Sequence, residues 1–335
     1  MQGESTLNIG IIGGGKMGKS LFNHLFKYPF NITWHNIDKN DARKKFEKKL
    51  KRLLKHEIIT QETYAKEVNR ITICDSINDL KNCHIIIECI NEDKSQKEAL
   101  FNRLETATDE TVLIVSNSSS ISTDSLNVSD KLKKRMAGMH FFFPVETNKM
   151  VEIIPGAQTE KKNIKTLIDF AEQIDKKVFL QNNITAFAVN RFFLDIQSGA
   201  FNYCKSNQIS FKAFDEVVQD KLFRPAIFET MDSIGSSILL VAIDNYSRMC
   251  EKPAHIIALL EHLKKRSETT HYSFINDTSL PGEISAGKKE EIDSFVRDLF
   301  RNFANMYINK GFFDKSDIIF VLSEYIGTEF NPFDN

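Results

Sequence analysis

An apolar run from Leu7 to Ile12 leads directly into Gly13-Gly14-Gly15-Lys16-Met17-Gly18, and an apolar pattern of helical period then continues to about Tyr28. No other tract restricts the fold as tightly. Gly13, Gly15 and Gly18 satisfy G-x-G-x-x-G in the context it requires, a strand passing through a tight turn into a helix. The first glycine permits the turn. The second lets a pyrophosphate approach backbone N–H groups at a helix N-terminus, and the third allows the helix to pack close to the strand. With Lys16 and Met17 between them, these residues form the expected nucleotide cradle. The chain then supplies the strands and helices that such a turn needs. Ile32 to Asn36, Ile71 to Cys74, His84 to Glu88 and Thr111 to Ser116 read as strands, with helices at Lys39 to Lys55, Thr60 to Asn69, Asp75 to Leu80 and Lys94 to Ala107. This alternation predicts a doubly wound parallel sheet of the Rossmann type.

In such a sheet the second strand should end in an acid that binds the adenosine ribose hydroxyls. Asn36 stands there, with Asp38 two residues later. An asparagine still exchanges hydrogen bonds with a hydroxyl, so NAD is the expected cofactor. Losing the negative charge, with Lys39 and Arg43 nearby, leaves NADP open. Ligands of open parallel sheets bind beyond the carboxyl ends of the strands. There the serine cluster Ser116-Asn117-Ser118-Ser119-Ser120 follows the apolar run Val112 to Val115. His140 closes a later short strand, and Glu152 lies inside the next, Met150 to Ile154. A histidine whose tautomer is held by a carboxylate is the usual proton-transfer pair near neutral pH.

At 335 residues the chain is long enough for two cores, and a net charge of -1 gives no overall drive towards nucleic acid or an anionic membrane. No stretch of 18 apolar residues or signal-type N-terminus occurs, so no membrane role and a cytoplasmic location are expected. The five cysteines form no C-x-x-C pair, which fits reduced thiols. No His, Cys and carboxylate cluster has metal-ligand spacing, so no metal is expected. The helix Lys39 to Lys55 is very basic. Its ordinary reading is a solvated face, and its functional alternative is a surface for a phosphate-rich ligand such as coenzyme A or for a carrier-protein arm.

Helix Lys161 to Ile174 and strand Lys177 to Leu180 are expected to close a first domain of residues 1–185. From 186 to 335 the pattern is helical: Ala188 to Asn207, Phe211 to Leu222, Ala226 to about Met249 and Pro253 to Arg266. A polar connecting loop then runs from Ser267 to Lys289. Residues 295–333 loosely echo 186–235, each a long helix, a tight turn, a second helix and a proline turn. A homodimer and an internally pseudo-dimeric monomer are both compatible with this pattern.

Taken in order, the glycine turn, Ile87-Glu88-Cys89-Ile90-Asn91-Glu92-Asp93, Ser116-Asn117-Ser118-Ser119-Ser120 and Gly138-Met139-His140-Phe141-Phe142-Phe143-Pro144 resemble the L-3-hydroxyacyl-CoA dehydrogenase family. The last runs on into Lys149-Met150-Val151-Glu152, and Phe187-Ala188-Val189-Asn190-Arg191 follows. The resemblance implies that His140 is the catalytic acid/base and that Glu152 orients it. It implies that Ser119 contacts the substrate oxygen near the nicotinamide and that Asn190 bonds the substrate. Glu92 and Lys97 match positions around the nicotinamide ribose. The implied reaction moves a hydride between C3 of a 3-hydroxyacyl thioester, on coenzyme A or an acyl-carrier protein, and the nicotinamide. A hydroxy-acid dehydrogenase of the same superfamily and a non-catalytic nucleotide- or acyl-binding homologue are the alternatives. Three departures fall at Asn36, at Phe143, where the family has a cofactor-contacting asparagine, and at Ala186, where it has glycine.

Overall fold

The computed structural model describes residues 6–181, 187–249, 254–267, 272–327 and 330–334. It divides into two compact units, Met1–Ala186 and Phe187–Asn335. The first is built on one eight-stranded sheet: β1 (Asn8–Ile12), β2 (Asn31–His35), β3 (Ile71–Cys74), β4 (Ile85–Glu88), β5 (Leu113–Ser116), β6 (Met136–Phe141), β7 (Met150–Pro155) and β8 (Lys177–Leu180). Its spatial order is β3-β2-β1-β4-β5-β6-β7-β8. Helices α1 (Lys16–Leu25), α2 (Lys39–Lys55), α3 (Gln61–Arg70), α4 (Lys94–Ala107), α5 (Asp130–Lys133) and α6 (Lys161–Gln173) connect the strands.

Strands buried on both faces carry near-continuous apolar runs, and the period-two alternation assigns each residue to a layer. Ile9, Ile11, Ile85, Ile87, Leu113 and Val115 join a core with Leu21, Phe46 and Phe170, from α1, α2 and α6. Ile12, Ile86, Ile114 and Met136 face the opposite layer with Leu100, Phe101 and Leu104 of α4. The strand order reverses at the β1–β4 junction, which puts the ligand crevice outside the carboxyl ends of those two strands.

Every neighbouring pair of strands is parallel except β6 and β7, which are antiparallel. The alternation pattern alone predicts parallel pairing throughout. The physical reason for the difference is the link 142–149, which is too short for the dozen or more residues that a parallel crossover takes. The expected helix Asp75 to Leu80 is a single 3₁₀ turn, Ile77–Leu80.

The second unit is helical, with α7 (Ala188–Asn207), α8 (Phe211–Lys221), α9 (Ile227–Ile234), α10 (Ser236–Met249), α11 (Ala254–Ser267), α12 (Ala286–Asn309) and α13 (Lys315–Ile326). One expected helix, Ala226 to Met249, is two, broken at Gly235, whose φ of +93° no α-helix accepts. The last long helix starts at Ala286, ahead of the expected Phe295, because the Ser285 side chain caps it by accepting from Lys288 N. Buried Asp195 on α7 accepts from Tyr307 Oη of α12 at 2.8 Å and pairs with His255 Nε2 of α11 at 2.8 Å, tying three helices together. Asp215 accepts from Phe228 N and Glu229 N at the start of α9. Burial pushes its carboxyl up to about 7 against the pull of those two N–H groups.

Two buried histidines predict how the fold responds to acid. Burial holds His24, bonded to Ile174 O, and His262, bonded to Tyr272 Oη, down to about 4. Both titrate near 6.5 in the unfolded chain. Between these values the unfolded state binds more protons, so stability is fully present above about pH 6.5 and drains away as pH falls towards 4. Buried Asp215, held at about 7, works the opposite way between about pH 4 and 7, but it is one group against two. Urea unfolding should still show a lower midpoint at pH 5 than at pH 7.5, and an unchanged midpoint would contradict this account.

Candidate active site

The glycine turn is fixed from two sides. Gly13 has φ +123°, and a Cβ added there would come within 2.5 Å of Cys89 O; one at Gly18 would come within 2.2 Å of Gly13 O. Trp34 Nε1 donates to Gly13 O at 2.8 Å, and Gly13 N donates to His35 O at 3.1 Å, locking the turn onto β2. Gly15, the N-cap of α1, is different: a Cβ built there meets nothing within 4 Å. The first and third glycines therefore answer to the protein's own packing, while the second leaves space at a helix N-terminus. A pyrophosphate fits such a place, with exposed Lys16 and half-buried Met17 beside it.

Asn36 follows β2 and is buried, with its amide lying against Gly14 and its Oδ1 accepting from Asp38 N at 3.0 Å. Of the two cations that leave NADP open, Lys39 is paired with Asp75 at 2.8 Å and Arg43 donates to Ile73 O at 3.1 Å.

At the end of β4 lies a group that the sequence reading left without a role. Glu88 is fully buried. It accepts from Lys97 Nζ at 2.7 Å, from Ser116 Oγ at 2.6 Å and from Ile90 N at 2.7 Å. Lys97, which matches a position around the nicotinamide ribose in the resemblance above, is 1% exposed and turned towards Glu88. The reason is electrostatic: a carboxylate buried at the strand end requires a countercharge. Lys97 also reaches Glu92 at 3.6 Å. Glu92 Oε1 in turn accepts from Ser118 Oγ (2.6 Å), Ser119 N (3.1 Å), Ser120 N (2.9 Å) and Ser120 Oγ (2.7 Å). Burial opposes the charge on Glu92, but Lys97 and the Ser118 and Ser120 bonds outweigh it and hold the carboxyl below its usual range. Ser118 and Ser120 are buried, while Ser119 between them is only half-buried.

The antiparallel pairing of β6 and β7 sets His140 directly opposite Glu152. Cross-strand partners share one face of the sheet, and His140 Nδ1 meets Glu152 Oε2 at 2.8 Å. The carboxylate is fully buried and the imidazole nearly so, its ring 4.5 Å from that of Phe142. Phe141 N donates to Asn117 Oδ1 at 2.8 Å, fastening this strand to the serine loop. The link between the two strands is anchored as well. Buried Lys176 donates to Val145 O (2.6 Å) and Asn148 O (2.5 Å), Val145 N donates to Ser20 Oγ of α1 at 2.8 Å, and Ser20 Oγ donates to Glu146. Phe143 in this link is 58% exposed.

The glycine turn, Asn36, the serine loop and the histidine–glutamate pair thus lie along one edge of a single sheet. Residues 8–184 match the family model described as 3-hydroxyacyl-CoA dehydrogenase, NAD binding domain, more than half of the chain. The chain belongs to the 3-hydroxyacyl-CoA dehydrogenase family.

Among its relatives, the 3-hydroxybutyryl-CoA dehydrogenase of Bradyrhizobium diazoefficiens is 26% identical over 189 residues, covering 56% of this chain and 64% of that protein. The human mitochondrial hydroxyacyl-coenzyme A dehydrogenase is 25% identical over 261 residues, 74% of this chain and 82% of that protein. The crystal structure of (S)-3-hydroxybutyryl-CoA dehydrogenase from Ralstonia eutropha aligns with a TM-score of 0.69 at 27% identity, covering 79% of this chain and 94% of that one. That of 3-hydroxybutyryl-CoA dehydrogenase from Escherichia coli covers 98% of this chain and 91% of that one, with a TM-score of 0.77 at 15% identity, a likeness of fold.

For a member of the 3-hydroxyacyl-CoA dehydrogenase family, the first unit is therefore an NAD-binding domain. Asn190 lies in the second unit, half-buried in the first turn of α7. Ala186 lies outside the described residues. The signal that could have exposed Glu88 is in the sequence: a lone carboxylate closing the run Ile85-Ile86-Ile87 must find a buried partner. Among the described residues no His, Cys, Asp and Glu group could hold a metal ion, and no helix is long and apolar enough to cross a membrane.

Proposed function

We propose that this chain is an NAD-dependent L-3-hydroxyacyl thioester dehydrogenase, with residues 1–185 binding the dinucleotide and Asn190, early in the helical residues 186–335, bonding the substrate. The observation that carries the reading is the buried His140–Glu152 pair, on the sheet edge that also bears the glycine turn. Gly13, Gly15, Lys16, Met17 and Gly18 would hold the pyrophosphate, Asn36 the adenosine ribose, and Glu92, Ser119 and Phe143 the nicotinamide end, with Lys97 acting through Glu92. When bound, the nicotinamide accepts or returns a hydride at substrate C3.

The chain's own residues manage the proton. With Nδ1–H committed to Glu152, the imidazole is fixed in one tautomer, and proton exchange with the C3 oxygen falls to Nε2. Glu152 stabilises the imidazolium formed when His140 takes that proton. Ser119 donates to the same oxygen from the loop that Glu92 holds, and Asn190 bonds the substrate. The same base serves both directions of reaction, since hydride and proton leave a single carbinol centre.

The test is turnover of acetoacetyl-CoA followed by nicotinamide absorbance with NADH and with NADPH. NADH should be oxidised. NADPH should be used less well, because Lys39 is paired to Asp75 and offers the 2′-phosphate little. An Asn36→Asp variant restores a repelling carboxylate and should widen the NADH preference at least about tenfold. If neither nucleotide supports turnover of any acyl thioester, the reading is lost.

A further inference from the structure

The chain holds 27 phenylalanines, and all of them fall among the described residues. All but one are buried or half-buried, the core filling that so skewed an aromatic composition implies. Phe143 alone is exposed, at 58%. A single exposed apolar side chain is ordinary on a protein surface, so its position decides what it means. Phe141 and Phe142, its neighbours in sequence, are both buried, and the Phe142 ring lies 4.5 Å from that of His140. Phe143 is thus the next side chain beyond the one that packs on the proposed base. Its backbone is held by the bend that follows. Pro144 O accepts from Thr147 N at 3.2 Å and from Asn148 N at 2.9 Å, and Val145 N donates to Ser20 Oγ at 2.8 Å. Among the described residues its ring stacks on no other aromatic and sits under no cation. A fixed, unpartnered aromatic face therefore stands beside the histidine–glutamate pair.

We propose that Phe143 selects the group carried on substrate C3, and that it favours acyl thioesters bearing a flat apolar group there, an aryl ring or a conjugated chain. The proposal rests on the dehydrogenase reading above and names the substrate class of the same site. Hydride transfer brings C3 into contact with the nicotinamide, so a ring at the nicotinamide end also borders whatever C3 carries. A hydrocarbon ring makes no hydrogen bond, so it gives a charged or polar substituent nothing. A methyl group is too small to cover it. A flexible alkyl chain covers it only by surrendering rotamer freedom. An aryl ring lies flat without that loss and adds the offset stacking that two aromatic rings prefer. The nicotinamide is flat too, but its carboxamide calls for hydrogen-bond partners that Phe143 does not supply.

The experiment follows reduction of benzoylacetyl-CoA, 3-oxohexanoyl-CoA and acetoacetyl-CoA with NADH by wild type, Phe143→Leu and Phe143→Asn. Aryl and alkyl ketones differ in intrinsic reactivity, so each substrate is compared with itself across the variants. In both variants kcat/KM on benzoylacetyl-CoA should fall at least about fivefold further than on acetoacetyl-CoA, chiefly through the KM of the thioester. Leucine keeps much of the apolar area but not the ring, so in Phe143→Leu the alkyl substrate 3-oxohexanoyl-CoA should lose less than the aryl one. An equal loss on either of the other two thioesters in Phe143→Leu would overturn the proposal. So would a loss that appears in the KM for NADH with every thioester, which would assign the ring to the nicotinamide. Should no thioester be turned over, the dehydrogenase reading fails separately. Calorimetric binding of the same thioesters in the presence of NAD then decides Phe143. Tighter binding of benzoylacetyl-CoA than of acetoacetyl-CoA, abolished by Phe143→Leu, supports it, and equal binding or none by wild type overturns it.

Discussion

Replacing His140 by glutamine should lower kcat on acetoacetyl-CoA at least about 100-fold, the scale of general acid/base catalysis, while nucleotide binding followed by fluorescence stays unchanged. Glutamine keeps the size and a hydrogen bond to Glu152 but exchanges no proton. The substrate oxygen then loses its base in one direction and its acid in the other, so both directions should suffer alike. Glu152→Gln should cost less. It leaves a partner 2.8 Å from Nδ1 but removes the charge that stabilises the imidazolium, so its loss should grow in the direction that protonates His140. If the wild type turns over no thioester and His140→Gln alters neither binding nor rate, the chain is a binding protein and not an enzyme.

The second large effect concerns stability. Lys97→Met should destabilise the protein by about 3–5 kcal/mol, because it leaves the Glu88 carboxylate buried with no countercharge. Breaking such a pair is costly even where forming it contributes little. Adding Glu88→Gln should therefore recover most of the loss, since the glutamine oxygen can still accept from Ile90 N while its amide NH2 donates to Ser116 Oγ. Chemical denaturation of the two variants and the wild type provides the check. A single-variant loss below about 1 kcal/mol, or no recovery in the double variant, would show that the ion pair is not what holds this strand end. Glu92 also loses its cation in Lys97→Met, so the serine loop should loosen and nicotinamide affinity should fall with stability.

Much of this molecule could be read before its structure. The glycine turn announced itself because two of its glycines are required by the chain's own backbone. Strands such as Ile85–Glu88 were plain because a doubly covered strand leaves little room for polar residues. What stayed hidden depended on partners distant in sequence. Glu88 and Lys97 appear as two charges nine residues apart, and only the return of α4 over the sheet shows that one neutralises the other. The antiparallel turn at β7 follows from the length of a link, which periodicity does not report. The break at Gly235 was hidden within an otherwise apolar helical run. Asp195, His255 and Tyr307 lie on three helices that no local pattern assigns to one another.

The pairing of β6 with β7 has a consequence for how this protein can diverge. Side chains alternate between the two sides of a strand, so deleting one residue between Met136 and His140, or between Glu152 and Pro155, would send the imidazole and its carboxylate to opposite surfaces. The eight residues that join the strands carry no such parity rule, provided that Val145 and Asn148 still reach Lys176. Descendants of this gene are therefore expected to vary in length at the bend and to keep a fixed count along its two arms.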